Sequence, residues 1–210
     1  MTRTVTVVDY GVGNLFSIAR SIEKAGGEAF LTTDPDDVLK ADRLLLPGVG
    51  AFGACAAQLA SAGMAEPVKA FAATGRPFLG ICVGMQLLFD HSMEFGKHDG
   101  LGLIPGSVEP IPSDGRKVPH IGWNALRLGP ARNGWEGTMF ETLRPGAASA
   151  YFVHSFAGHA ANPADVLSDV DYEGVSVCAA VQRDNITGVQ FHPEKSGPVG
   201  LTLLEAYLRQ

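Results

Sequence analysis

The sequence feature that most constrains the fold is an apolar stretch, residues 78–89, in which glycines flank a cysteine. Gly80, Cys82 and Gly84 have the Gly-x-nucleophile-x-Gly spacing of a sharp turn from a strand into a helix, where flanking side chains would collide. A cysteine at this turn lies at a helix N-terminus, whose unpaired N–H groups favour a thiolate. The pattern predicts a nucleophile, although an inert cysteine that fills a gap in the core is the commoner situation for a free thiol.

A predicted oxyanion hole accompanies this turn. The backbone N–H of Val83 follows the nucleophile and is expected to face a developing oxyanion. We expect the second donor to be the N–H of Val49, because the flanking Gly48 and Gly50 allow that peptide to turn towards the cysteine. Residues 48–53 also fit the Gly-x-Gly-x-x-Gly pattern of dinucleotide loops, but the acid expected about 20 residues later is missing. A plain strand-to-helix turn is the remaining alternative.

The first half of the chain has the pattern of alternating strands and helices. Apolar runs predict strands at residues 5–9, 28–33, 43–47 and 78–81. Helical spacing predicts a helix from Leu15 to Ile22, a short helix capped by Asp34 and a helix near residues 66–74. A further helix after Cys82 is expected to carry Met85, Leu88 and Phe89 inward. The order favours a parallel sheet flanked by helices.

The second half changes to short β-like runs that are rich in proline and glycine. These runs lie at residues 107–111, 123–128, 150–153, 174–182 and 187–191. We expect them to form antiparallel hairpins that extend the sheet, with residues 183–185 as one turn. Residues 198–209 predict a closing amphipathic helix. The sequence therefore predicts an α/β fold with an open, mostly parallel sheet, an antiparallel extension in the C-terminal half, and a single domain over residues 1–210.

Composition excludes several classes of function. The 210 residues carry a net charge of −6 without a run of Lys or Arg, which argues against binding nucleic acid or an acidic membrane. The three cysteines (55, 82 and 178) form no Cys-x-x-Cys pair, which favours a reduced cytoplasmic protein over a disulfide or zinc scaffold. We expect no signal peptide and no membrane span, because the longest apolar stretch is interrupted by glycines and Gln86.

A second chemical motif, Gln190-Phe-His192-Pro-Glu194, ends the last strand-like run. In extended backbone His192 and Glu194 would point to the same side, so the carboxylate could orient the imidazole. With Cys82 they would form a nucleophile, base and acid triad. The alternative is a solvated loop histidine beside a proline. Gln86 lies one helical turn after Cys82 and could reach the substrate, although an exposed glutamine is an equally simple interpretation.

Taken together, these motifs resemble the triad (class I) glutamine amidotransferases. The resemblance rests on residues 80–88, the loop of residues 46–50 and residues 191–196, and each motif is specific only in combination with the others. Residues 9–15, 118–124 and 151–155 are similar to the glutaminase subunits of imidazole glycerol phosphate synthases. Val83 stands where a leucine is expected, but only its backbone is used.

The resemblance implies a flavodoxin-like fold and hydrolysis of glutamine, without cofactor or metal ion. Cys82 would attack the side-chain amide, His192 would shuttle protons and Glu194 would orient it. The implied glutamine-binding residues are Gly50, Gln86, His154, Ser155 and Phe156. Ammonia would pass to a (βα)8-barrel synthase subunit in a heterodimer.

The implied interface residues for that synthase subunit are Asn14, Trp123, Tyr151 and Lys195. Core packing is the alternative for Trp123 and Tyr151. We also hypothesise that the partner reorients the Gly48–Gly50 peptides to complete the oxyanion hole.

Three other functions stay open at this stage. One is another amidotransferase of the same class, such as the subunit that serves pyridoxal phosphate synthesis, against which residues 119–124 argue. The second is a nucleotide-binding module in which Cys82 is inert. The third is a cysteine peptidase of related fold.

Overall fold

A computed structural model describes residues 3–210. In its first half strands and helices alternate. The strands are β1 (Arg3–Val8), β2 (Gly27–Thr32), β3 (Leu44–Leu46) and β4 (Phe78–Ile81), and the helices are α1 (Leu15–Lys24), α2 (Pro35–Lys40), α3 (Phe52–Ser61), α4 (Ala65–Ala72) and α5 (Val83–Gln86). All residues of β3 and β4 are buried, as expected for central strands covered by helices on both faces.

The second half is mostly β-structure until a closing helix. Its elements are β5 (Phe89–Ser92), β6 (His98–Asp99), β7 (Ile104–Pro110), β8 (His120–Ala125), β9 (Arg127–Leu128), β10 (Ser149–His154), β11 (Phe156–Ala160), β12 (Val166–Tyr172), β13 (Val175–Arg183), β14 (Ile186–Val189) and α6 (Gly197–Arg209). Single 3-10 turns lie at Pro163–Asp165 and Pro193–Lys195. No helix within residues 3–210 is long and apolar enough to cross a membrane.

The main sheet has eight strands in the order β2-β1-β3-β4-β14-β13-β12-β9. The first five strands in this order pair in parallel, and the last three pair antiparallel. The predicted fold class, a mostly parallel sheet with an antiparallel extension, is confirmed. Strand β14 returns from the C-terminal half to lie beside β4, so residues distant in sequence leave the sheet at the same edge.

The prediction that all the later hairpins extend the main sheet is wrong. Only β9, β12, β13 and β14 join it, whereas β11-β7-β5-β6 and β10-β8 form two separate small sheets. The main sheet ends at β9, a strand of two residues, so the remaining strands pair with one another. Four strands in this half, β5, β6, β11 and β12, were not predicted.

Two helix predictions also need correction. Helix α3 was not predicted, and Gly53 lies inside it, beside the His98 ring, instead of in a nucleotide-binding loop. The helix after Cys82 ends at Gln86, because the Leu88 carbonyl accepts hydrogen bonds from the amides of Leu103 and Ile104. Phe89 is buried as expected, but it begins a strand.

Candidate active site

Cys82 lies at the corner between β4 and α5 with a φ of 55°, a left-handed conformation that non-glycine residues rarely adopt. A Cβ atom on Gly80 would lie 2.8 Å from the Gly84 carbonyl oxygen, and one on Gly84 would overlap the Leu46 carbonyl. Both glycines are therefore required by close packing at the corner. The predicted elbow geometry is present in the structure.

The fold brings His192 to this corner through the pairing of β4 with β14. The backbone N–H of Cys82 donates to the Val189 carbonyl at 2.8 Å, so the chain that follows β14 passes beside the cysteine. Nδ1 of His192 lies 2.7 Å from Oε1 of Glu194, and both side chains are buried. This contact forms across a 3-10 turn, not in the extended backbone from which it was predicted. The structure brings together the three residues predicted as nucleophile, base and acid.

The environment of His192 favours the imidazolium. Burial lowers the pKa of His192, but hydrogen bonds with Cys82 and Glu194, together with the charges of these two groups, raise it to about 10. A protonated imidazole beside a cysteine stabilises a thiolate. The site can therefore hold a protonated His192 between the Cys82 sulfur and the Glu194 carboxylate at neutral pH.

The two predicted oxyanion donors do not face the cysteine in this conformation. The N–H of Val83 donates to the Gly48 carbonyl oxygen at 3.3 Å. Because the N–H and C=O of a trans peptide point in opposite directions, the N–H of Val49 is directed away from the corner. Gly50 has a φ of 95°, a conformation that glycine adopts without steric strain because it has no side chain. The loop is present at the predicted place, with a carbonyl where an N–H was expected.

A cavity of about 240 Å³ opens at Cys82. Its walls include all the residues predicted to bind glutamine, which are Gly50, Gln86, His154, Ser155 and Phe156. Gln86 is buried, which rules out the exposed, solvating alternative. Its Nε2 donates to the Phe156 carbonyl at 3.0 Å and to Oε1 of Gln190 at 2.9 Å, so its amide supports the cavity wall. A larger, mostly apolar cavity of about 400 Å³ lies near Cys178 and is lined by none of these residues.

His154 supports the same wall from behind. Its Nδ1 lies 2.8 Å from the Phe156 carbonyl oxygen, and its Nε2 lies 3.0 Å from Nδ1 of His120. Burial lowers the pKa of His154 to about 3. A neutral ring that donates from Nδ1 explains why His154 positions backbone and does not act as a second base.

Several residues at the site were not predicted. Glu94 lines the cavity, and its Oε2 accepts a hydrogen bond from the Phe52 N–H at 2.5 Å. Nε2 of Gln190 lies 3.8 Å from the Cys82 sulfur. Ser196 donates to the His192 carbonyl at 2.7 Å and accepts from the Tyr151 N–H at 3.0 Å. The short spacing of Gln190 and Ser196 from His192 was a usable signal, but nothing in the sequence marked Glu94.

The residues expected at a partner interface are mainly at the surface. Trp123 is 57% exposed, with its ring centre 6.0 Å from that of Tyr151, so core packing of Trp123 is excluded. Tyr151 is half-buried, and Lys195 is exposed directly after Glu194. Asn14 is exposed and caps α1 through its side-chain oxygen. Trp123 and Tyr151 lie beside the segment that carries Lys195, because Tyr151 pairs with Trp123 and its carbonyl accepts a hydrogen bond from the His192 N–H.

Comparison with known proteins agrees with this geometry. The family model of class-I glutamine amidotransferases matches residues 6–208. Imidazole glycerol phosphate synthase subunit HisH 1 of Legionella pneumophila (strain Lens) is 44% identical over 98% of this chain and 99% of its own length. Subunit HisH of Geobacter metallireducens is 46% identical over 97% of each chain.

Solved structures agree on the fold. PurLQS from Thermotoga maritima superposes with a TM-score of 0.74 at 22% identity, over all of this chain and 99% of the matched chain. A glutamine amidotransferase crystal structure gives 0.72 at 18% identity, over 96% of this chain and 98% of the other. The chain belongs to the class-I glutamine amidotransferase family.

Proposed function

We propose that this chain is the glutaminase subunit of an imidazole glycerol phosphate synthase. It hydrolyses L-glutamine to glutamate and ammonia and passes the ammonia to a (βα)8-barrel subunit, which makes imidazole glycerol phosphate and an aminoimidazole ribonucleotide (AICAR) in histidine biosynthesis. The observation that supports glutamine hydrolysis is that Cys82, at the wall of a cavity, contacts His192, which in turn contacts Glu194. The full-length similarity to HisH subunits supports the role in an imidazole glycerol phosphate synthase.

The proposed chemistry begins with the Cys82 thiolate. Its sulfur attacks the side-chain amide carbon of glutamine, and the imidazolium of His192 gives its proton to the departing nitrogen, so that ammonia leaves and a glutamyl thioester remains. Neutral His192 then takes a proton from water, which attacks the thioester and releases glutamate. The Cys82 sulfur recovers its electron pair, and His192 is again protonated. Glu194 holds the ring in the tautomer and orientation that both steps need.

The cavity suits a free amino acid. Glu94 supplies a carboxylate to the wall of the cavity, and a carboxylate is a suitable partner for the α-ammonium group of glutamine. The Phe156 carbonyl is already held by Gln86 and His154. These fixed groups would orient the substrate amide towards the sulfur. A peptide substrate lacks the free ammonium group, which argues against the peptidase alternative.

We propose that partner binding controls the oxyanion hole. In the free chain the Gly48 carbonyl occupies the Val83 N–H, and a turn of the Gly48–Val49 peptide would release that N–H and present a second one. The proposed interface residues Trp123, Tyr151 and Lys195 adjoin the His192 segment. Hydrolysis would then be fast only when the barrel subunit is ready to receive ammonia.

A sealed interface also protects the product. Ammonia that reaches bulk water at neutral pH would be protonated and lose its nucleophilicity, so a dry path to the barrel subunit is required.

We propose that the chain is one domain. We also propose that it works in the cytoplasm, since the proposed nucleophile and the other two cysteines are free thiols.

The test is glutamine turnover by the purified chain, alone and with the barrel subunit. We expect strong stimulation by the barrel subunit and formation of imidazole glycerol phosphate when its ribonucleotide substrate is added. Equal turnover with and without the barrel subunit would refute the control of the oxyanion hole. Absence of glutamine turnover in both mixtures would refute the function.

A further inference from the structure

The carbonyls of three consecutive residues, Pro47, Gly48 and Val49, are each held by a separate donor. Tyr10 donates its hydroxyl to the Pro47 carbonyl at 2.7 Å. The Val83 N–H donates to the Gly48 carbonyl at 3.3 Å, and the Cys55 thiol donates to the Val49 carbonyl, also at 3.3 Å. The peptide that has to turn to complete the oxyanion hole is therefore held between two side chains that take no part in the proposed chemistry.

Both side chains remain donors at neutral pH. Tyr10 is 5% exposed and Cys55 is 1% exposed. Burial raises the pKa of the Tyr10 hydroxyl. Burial also raises the pKa of the Cys55 thiol. The two side chains contact one another, and together they hold the Pro47 and Val49 carbonyls on either side of Gly48.

The hydrogen bond from Cys55 to the Val49 carbonyl opposes rotation of the Gly48–Val49 peptide for a stereochemical reason. A turn of the Gly48–Val49 peptide alone would carry Val49 to positive φ, which a β-branched residue avoids. The rotation must therefore be shared with the Val49–Gly50 peptide. Gly50 permits that rotation, but it would pull the Val49 carbonyl away from the Cys55 sulfur.

We propose that Cys55, together with Tyr10, is a positioning residue that holds the oxyanion loop in its inactive arrangement. The pair sets how little glutamine the free chain hydrolyses. This inference rests on the proposed function, because it concerns the same loop and the same reaction. It assigns a task to a cysteine and a tyrosine that are distinct from the nucleophile, His192 and Glu194.

The test compares Cys55→Ala with Cys55→Ser, whose hydroxyl can still donate to the Val49 carbonyl. Loss of one neutral hydrogen bond that exists only in the inactive arrangement should raise the population of the active arrangement about fivefold. We expect Cys55→Ala to raise partner-free glutamine turnover by about that factor, and Cys55→Ser to stay near the unmodified chain. Turnover with a saturating barrel subunit should be unchanged in both, because the partner already selects the active arrangement.

Two further variants complete the design. Tyr10→Phe removes only a hydroxyl and should raise partner-free turnover in the same way, whereas Cys178→Ala, far from the loop, should not. Amide hydrogen exchange of residues 48–50 should be faster in Cys55→Ala and in Tyr10→Phe. Because neither readout requires partner stimulation, the proposal can fail while the proposed function stands.

Two results would overturn the proposal. One is partner-free turnover that is unchanged or reduced in folded Cys55→Ala and Tyr10→Phe. The other is an equal rise in Cys55→Ala and Cys55→Ser, which would assign the effect to packing and not to the hydrogen bond.

Discussion

The backbone N–H of Cys82 donates to the carbonyl of Val189 at 2.8 Å, which ties the corner after β4 to the end of β14. The carboxyl ends of neighbouring parallel strands meet at one edge of a sheet, so this pairing places the His192–Glu194 turn beside the cysteine. The site is thus a consequence of strand order.

Replacement of Cys82 by Ala should abolish glutamine hydrolysis, with a loss of roughly a thousandfold or more, because no other group can form the thioester. The barrel subunit in complex with this variant should still use added ammonia. Cys178→Ser is the matched control and should keep full glutamine turnover. Retention of turnover by Cys82→Ala would exclude the covalent route.

Replacement of Glu194 by Gln should reduce the pH dependence of stability. The pKa of His192 is raised to about 10, so the imidazolium contacts stabilise the fold below the unfolded value of about 6.5 and are lost as pH rises through about 10. Urea denaturation of both proteins at intervals from pH 6 to 10 measures this. We expect the free energy of unfolding to fall less steeply over this range in Glu194→Gln, and identical slopes would contradict the assignment.

Replacement of Gln86 by Ala should weaken glutamine binding. The change removes the two hydrogen bonds that Nε2 gives to Phe156 and Gln190, each worth about 1 kcal/mol. Steady-state kinetics of the complex should show KM raised roughly tenfold with a smaller change in kcat. Gln58→Ala, an exposed position on α3, is the control and should leave KM unaltered.

Replacement of Gly84 by Ala should destabilise the chain by about 3 kcal/mol or more, because the new methyl group would overlap the Leu46 carbonyl and neither backbone can move freely. The comparison is Gly63→Ala, where φ is 70° but no atom lies within 4 Å. Conformational strain alone should amount to about 1 kcal/mol there. Thermal unfolding of both variants separates the two effects, and equal losses would argue against close packing at the corner.

Replacement of Trp123 by Ala should weaken binding of the barrel subunit by about tenfold to a hundredfold, since exposed aromatic residues often dominate an interface. Stability of the free chain should barely change. Phe30→Ala, exposed on the edge strand β2, serves as control and should bind normally. Calorimetric titration with the barrel subunit measures both, and normal binding by Trp123→Ala would move the proposed interface elsewhere.

Features that depend on residues close together in the sequence were easier to predict than features that depend on residues far apart in it. The corner at Cys82 was predictable because its glycines form a short motif, although the close contact that requires Gly84 comes from the Leu46 carbonyl on a neighbouring strand. Helix α3 was missed because alanine and glycine between Phe52, Cys55 and Leu59 leave little contrast between its faces. Strand β11 was missed because its pairing partner, β7, is far away in sequence.

The functional site, too, could be predicted only in part. His192 and Glu194 were predicted as a pair, but the 3-10 turn that joins them differs from the extended backbone assumed. Glu94 could not be predicted, because it reaches the cavity only through packing of its loop against the start of α3. The orientation of the Gly48 carbonyl was equally inaccessible, since glycine permits either direction of the peptide.

The most direct test of the central claim is to treat the complex with a glutamine analogue that carries an electrophile in place of the amide, and to locate the label by mass spectrometry. The account predicts a single label on Cys82, prevented by excess glutamine and much slower in His192→Ala. Labelling of Cys55 or Cys178 in place of Cys82, or labelling that glutamine does not prevent, would contradict it.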